Sequence, residues 1–324
     1  MKYRSLGKSG LLVSEIGFGC WGIGGAHGKS VAYGETNDSE SLEALRKAYD
    51  LGVNLFDTSD YYGAGHSERL LGQAFRVDRK NVLIASKCGM IPGSTEQRFD
   101  SDHLVRSIEG TLARLETDYL DLYQLHSPLI SDIEDNQELW RGLERLIESG
   151  KVRAIGVSAR SPQDAVIISE RFPIDCIQVN FNFADQRAVD CGLLSLCKER
   201  DIGVIGRTPL SFGFLTGSIS AKESFESTDH RSRWTSAQKQ AWVNAANHRK
   251  RFDQESVGTG AQFALRFCLS FREISCVIPG MLNAKEVEEN TLSSELGPLK
   301  EEIIENMTAD SSIRETFLGA QEAP

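Results

Sequence analysis

VLIASKCGMIPGSTEQRFDSDHLVRSIEGTLARLETDYLDLYQLH, residues 82–126, reads as one strand-helix-strand unit. Its two ends, VLIASK (82–87) and LDLYQLH (120–126), are short apolar runs of strand length. Between them Leu104, Ile108 and Leu112 recur every four residues, the period of a helix that buries one face. Two strands joined by such a crossover are expected to be parallel. The same alternation extends in both directions, with further strand candidates at 16–21, 54–58, 154–158, 176–180, 203–207 and 275–279, which makes eight. Leu139, Leu143, Leu146 and Ile147 mark the apolar face of the next helix. Asn37 three residues before Glu40 suggests a capping box, and Gly52 and Gly150 stand where helical periods end.

Eight such repeats favour closure of the sheet into an α/β (β/α)8 TIM barrel, because closure leaves no exposed sheet edge. Ahead of the first barrel strand, residues 3–6 and 11–13 flank Gly-Lys-Ser-Gly and predict a short N-terminal β-hairpin under the barrel's bottom. Residues 1–324 are expected to form a single barrel domain, with the hairpin in 1–14 and one long irregular loop, 209–257, after the seventh strand. A loop of that length inside a barrel is expected to serve function.

Composition narrows the class. Hydrophobic residues make up 40% and charged residues 25% of the 324, the balance of an ordinary globular protein. A net charge of -10 argues against nucleic acid, whose binding surfaces carry a basic excess. The seven cysteines are scattered without metal-ligand spacing, so they read as reduced packing residues and no metal site is expected. No run of about 18 apolar residues and no secretory leader is visible, so no membrane partner is expected and the cytoplasm is the default compartment.

Asp57, Tyr62, Lys87 and His126 lie at the ends of three successive strand candidates. Barrel active sites sit at that end, and neighbouring strands lie only about 4.8 Å apart. A lysine closing an apolar run needs a partner to stay charged, and Asp57 is one strand away. Lys87 next to Tyr62 would favour the phenolate; a drop of about two pKa units needs roughly 3 kcal/mol. Tyr62 would then serve as general acid or base, Asp57 would hold Lys87, and His126 would donate to a substrate oxygen.

These residues lie in a run of motifs: GVNLFDTSDYYG (52–63), SERLLG (67–72), SK (86–87), RLETDYLDLYQLHSP (114–128), IGVS (155–158), QVN (178–180), PLSFGFLTG (209–217), then VIPG and EEN up to residue 290. In that order they resemble the aldo-keto reductases. The resemblance implies an NAD(P)H-dependent carbonyl reductase, or alcohol or sugar dehydrogenase, in which hydride passes between nicotinamide and carbonyl carbon while Tyr62 handles the oxygen's proton. NADP(H) is the cofactor it favours, with NAD(H) as the alternative; the substrate is a small aldehyde, ketone or sugar. A keto-sugar-nucleotide reductase and a cofactor-binding regulatory subunit without turnover are the competing readings, and protein partners stay open.

The resemblance also assigns a cofactor wall. Ser158 and Gln178 fall where the family binds the nicotinamide carboxamide, although Ala159 replaces the usual asparagine. Arg207 replaces the aromatic ring that often stacks on nicotinamide, and Trp21 lies by the nicotinamide and substrate pocket. Thr208, Pro209, Leu210 and Gly213 open the loop that folds over the pyrophosphate. Gly280 and Glu286 fall at the adenosine end, without the basic residue common there, and Glu289 and Asn290 approach the adenine. The Gly17 to Gly25 stretch lacks the dinucleotide fingerprint G-x-G-x-x-G and is expected to bring backbone close to cofactor. The basic residues of 230–252 are expected either to face the pyrophosphate or to form a solvated helical face. The variable segments 21–33, 89–98 and 127–135 are expected to shape the substrate pocket.

Overall fold

Each of the eight expected runs overlaps a strand, and the strands form one parallel sheet. The computed structural model describes residues 1–26, 32–94, 96–252 and 257–313; parts of the expected pocket segments 21–33 and 89–98 and of the 209–257 loop lie outside them. The strands are β1 (Tyr3–Ser5), β2 (Leu12–Ser14), β3 (Phe18–Gly19), β4 (Leu55–Asp57), β5 (Leu83–Cys88), β6 (Leu120–His126), β7 (Val152–Ser158), β8 (Cys176–Asn180), β9 (Gly203–Arg207) and β10 (Ile274–Ile278). From β3 to β10 each is hydrogen-bonded to the next in chain order. Parallel bridges Ile16 to Val277 and Gly19 to Gly280 join the first to the last, giving the (β/α)8 barrel.

β3 is two residues long where residues 16–21 were expected, and the reason lies at this seam. A Cβ on Gly19 would stand 2.7 Å from Ile278 O, so the strand meets β10 backbone to backbone. Trp21 then leads straight into the turn Gly22–Gly24.

The barrel interior is a small apolar cluster separate from the helix-sheet core. Leu55, Ala85, Leu122, Ala154, Cys176, Ile205, Cys276 and Ile278 point inward from the strands and meet Leu6, Leu11 and Val13. β1 and β2 pair antiparallel, Tyr3 with Ser14 and Ser5 with Leu12, as the expected hairpin. Its Leu6 is fully buried against the start of β9, so the hairpin closes the barrel end opposite the strand C-termini.

Outside the barrel, Leu104, Ile108 and Leu112 are buried on helix Ser101–Leu115, and Leu139, Leu143 and Leu146 on Gln137–Glu148. Ile147 does not join them: it is 37% exposed, one position past the buried stripe. Asn37 Oδ1 accepts from the amides of Ser39 and Glu40, capping helix Asp38–Asp50. Six cysteines are buried in the packing and Cys191 is half-buried. No helix among the described residues is long and apolar enough to cross a membrane.

The segment after β9 is less irregular than expected. It contains the turns Ser211–Thr216 and His230–Arg233 and a helix, Ser236–Arg249, that buries Trp242, Ala245 and Ala246. Antiparallel and parallel bridges from Tyr33 and Ala32 to Asp229 tie this segment to the one after β3.

Candidate active site

The register of three neighbouring strands assembles the site. Asp57 ends β4, and Lys87 pairs with Gln124 across β5 and β6. Side chains alternate along a strand, so Leu122, Gln124 and His126 of β6 share one face. Leu122 faces the barrel interior, so Gln124 sits just above it.

Lys87 is fully buried, and an ammonium there is tolerable only if every hydrogen has a partner. It has three: Asp57 Oδ1 at 2.5 Å, Thr58 O at 2.9 Å and Tyr62 Oη at 3.1 Å. Burial opposes its charge, but Asp57 and Tyr62 outweigh it and hold the lysine above its ordinary pKa. Asp57 is held in turn on its second oxygen by Gln178 Nε2 at 2.8 Å and Gln124 Nε2 at 3.1 Å. Ser158 Oγ donates to Gln178 Oε1 at 3.0 Å.

Tyr62 begins the tight turn Tyr62–Gly65, in which Gly63 and Gly65 adopt positive φ. At Gly63 a Cβ would stand 2.1 Å from Gly24 O, so only glycine lets this turn press against the segment after β3. The phenol oxygen already accepts from Lys87, which leaves its own hydrogen to point elsewhere. Burial raises the Tyr62 phenol above its ordinary pKa although Lys87 pulls the other way. The expected drop toward neutrality is therefore corrected: desolvation wins, and the group keeps its proton.

His126 stands beside it, ring centroids 5.9 Å apart and nearly perpendicular. Its Nδ1 lies 3.2 Å from Ser59 Oγ, which leaves Nε2 as the ring's other polar atom. Burial, with Lys87 and Arg207 adding repulsion, holds its pKa well below the usual range, so the ring is neutral.

A cavity of about 850 Å³ opens over these residues, large enough for a dinucleotide with part of a substrate. Asp57, Tyr62 and His126 lie on its wall, while Lys87 stays behind them. Of the residues expected at the cofactor, Trp21, Gln178, Arg207, Thr208, Pro209, Leu210, Gly213, Gly280, Glu286, Glu289 and Asn290 all line it. Ser158 does not, and reaches the site through Gln178. Arg207 Nη2 donates to Ala159 O at 3.0 Å, and its buried Nε has no partner among the described residues. Because that bond goes to the backbone carbonyl of residue 159, it does not depend on the side chain that stands there. Glu286 accepts the Leu282 amide at 2.8 Å. Lys285 is exposed and lies off the cavity wall.

The basic residues of 230–252 divide. Arg231 alone of them lines the cavity, where Asp229 neutralises it at 2.6 Å and it stacks on Tyr33 and Phe225. Lys239 caps Glu223 O, and Arg251 faces Asp310. From the expected substrate segments, Trp21, Gly22, Tyr33 and Met90 reach the cavity, whereas 127–135 contribute nothing to its wall.

Residues 15–310 match the model of the Aldo/keto reductase family. The chain belongs to that family. It is 31% identical over 327 residues to the Bacillus subtilis aldo-keto reductase YhdN, covering 96% of each chain. It is 30% identical to L-galactose dehydrogenase of Arabidopsis thaliana, covering 90% of this chain and 87% of the relative. The holo structure of the aldo-keto reductase AKR11C1 from Bacillus halodurans superposes with a TM-score of 0.78 at 25% identity, covering 98% and 97% of the two chains. As a member of the Aldo/keto reductase family this is an NAD(P)H-dependent oxidoreductase.

Within that setting, sequence reasoning missed Gln124, Ser59 and Asp60. Gln124 was detectable: it is the one polar residue in phase with Leu122 and His126, hence aimed into the barrel beside Lys87. Ser59 and Asp60 follow Asp57 in Asp-Thr-Ser-Asp, and only the fold of that turn brings them to His126.

Proposed function

We propose that the cavity binds a nicotinamide dinucleotide and a small aldehyde, ketone or sugar carbonyl, and that Tyr62 exchanges the proton on the substrate oxygen. The bound nicotinamide would supply or take the hydride. The observation that carries this reading is the saturation of Lys87: its ammonium donates to the Tyr62 oxygen, so the phenolic hydrogen is left for the cavity. Asp57 keeps the lysine charged and in place, and as the phenol gives up its proton the ammonium 3.1 Å away stabilises the oxygen left behind. Gln178, Ser158 and the free edge of Arg207 would orient the nicotinamide. The rim residues Thr208, Pro209, Leu210 and Gly213 would cover the pyrophosphate, with Gly280, Glu286, Glu289 and Asn290 at the adenosine.

NADP(H) is the form the family resemblance favours. Against that preference, the 280–290 stretch of the wall presents Glu286 and no lysine or arginine, so protein-fluorescence quenching by NADPH and NADH should be compared directly.

Tyr62→Phe should bind the preferred cofactor with unchanged affinity and lose about a hundred- to ten-thousand-fold in kcat for carbonyl reduction. Near-normal turnover by that variant would remove Tyr62 from the proton step. Tight cofactor binding without turnover by the unaltered protein on a broad carbonyl and sugar panel would instead support the regulatory-subunit reading.

A further inference from the structure

Ser59 stands between the His126 ring and a buried carboxyl outside the four residues above. Its Oγ lies 3.2 Å from His126 Nδ1 and 3.2 Å from Asp60 Oδ1, and it accepts the Tyr61 amide at 3.1 Å. Asp60 is closed on its other oxygen by Ser107 Oγ at 2.6 Å. Ser59, Asp60 and Ser107 are all buried.

A hydroxyl has one hydrogen to give. If Ser59 donates to an ionised Asp60, its oxygen can bond Nδ1 only when Nδ1 carries the ring proton, and Nε2 then turns a lone pair toward the cavity. If Asp60 is protonated, it donates to Ser59, the serine hydrogen turns to Nδ1, and the ring proton sits on Nε2. In passing from the second arrangement to the first, one proton leaves the cluster, and His126 stays neutral in both.

We propose that Ser59 and Asp60 are positioning residues that set the tautomer of His126, so that the ring donates into the cavity when Asp60 is protonated and accepts when it is ionised. Its catalytic consequence rests on the oxidoreductase reading above. A carbonyl oxygen needs a donor, so reduction is favoured with Asp60 protonated; in the reverse direction the alcohol has one hydrogen to give and it must go to Tyr62, so with Asp60 ionised the lone pair on Nε2 competes for it.

The surroundings let Asp60 answer to pH. Burial raises its carboxyl to about 6, against the bond from Ser107 and with help from Glu68, while Ser59 and Arg114 pull it down. Glu68, from helix His66–Phe75, is itself paired with Arg114 of helix Ser101–Leu115 at 2.5 Å. From β5 and β6, Cys88 and Tyr123 also face the carboxyl, and burial keeps both protonated. His126 is held neutral throughout.

Long-range proton-nitrogen NMR of protein labelled with nitrogen-15 histidine reads the tautomer without any substrate, so it can fail or succeed independently of the Tyr62 experiment. The His126 signal is identified by its loss in His126→Gln. Between pH 5 and 8 the unaltered protein should pass from Nε2-H to Nδ1-H with a midpoint near the Asp60 value of about 6. Asp60→Asn, with its amide nitrogen toward Ser59 and its oxygen toward Ser107, should hold Nε2-H at every pH. Ser59→Ala should abolish the pH response. Should Asp60→Asn fail to fold, Ser107→Ala should move the midpoint upward, because it removes a bond to the ionised carboxyl. A pH-independent tautomer in the unaltered protein, the unaltered response in Asp60→Asn, or an unmoved midpoint in Ser107→Ala would overturn the proposal.

Discussion

Desolvation dominates the individual side chains of this site, and it acts in opposite senses on acids and bases. It keeps Tyr62 protonated and His126 neutral, while Lys87 escapes only because Asp57 and the phenol surround it. Asp60 carries a measurable signature of the same force. An aspartate ordinarily titrates at about 3.9, so between pH 4 and about 6 the folded chain holds a proton that the unfolded chain has released. Stability must then fall as pH rises through that window and stay lower above it, by about 3 kcal/mol in all. Comparing urea midpoints at pH 4.5 and 7.5 for the unaltered protein and Asp60→Asn isolates this contribution from that of other carboxylates. The variant should lose less stability between the two pH values, and an equal loss would contradict the buried, protonated acid.

Among the elements, β6, β8 and β9 begin and end where the apolar runs do, because a fully buried parallel strand has little besides its apolar run to define it. Legibility failed where backbone rather than side chain makes the contact, as at Gly19, and where burial uses small residues. Helix Ser236–Arg249 buries Trp242 with two alanines, a stripe too weak to stand out among its charges. Asp57, Lys87 and His126 were readable because each closes an apolar run, and Tyr62 by its place in the motif that follows Asp57, whereas Ser59 and Asp60 belong to a turn whose course no periodicity reports. The link between Arg207 and Ala159 was equally hidden, since it crosses from β9 to the end of β7. The hairpin was legible, and its contribution can be measured. Leu6→Ala empties the floor of the barrel and should cost about 2–5 kcal/mol in urea unfolding. Cofactor affinity should not change, because the cavity opens at the other end; a large loss of affinity would mean that the plug shapes the site from below.

At the scale of the whole molecule, in a chain of net charge -10 the cavity wall carries two arginines, Arg207 and Arg231, beside the carboxylates Asp57, Glu286 and Glu289. Arg231 is neutralised by Asp229, whereas Arg207 bonds a backbone carbonyl. The barrel's closure has a consequence for how a ligand there would be felt. Seven of the eight strand junctions are ladders, from two residue pairs between β3 and β4 to six between β6 and β7, but the eighth consists of isolated bridges held by the amides of Gly17, Gly19 and Val277, and both of its sides, Gly19 on one and Ile278, Pro279 and Gly280 on the other, border the cavity. A dinucleotide lying along that wall would act as a clasp across a zip. Exchange of those three amides with deuterium should slow markedly when cofactor is added, while amides of β6 and β7 change little. Uniform slowing over all eight strands would instead mean that the barrel opens only as a unit.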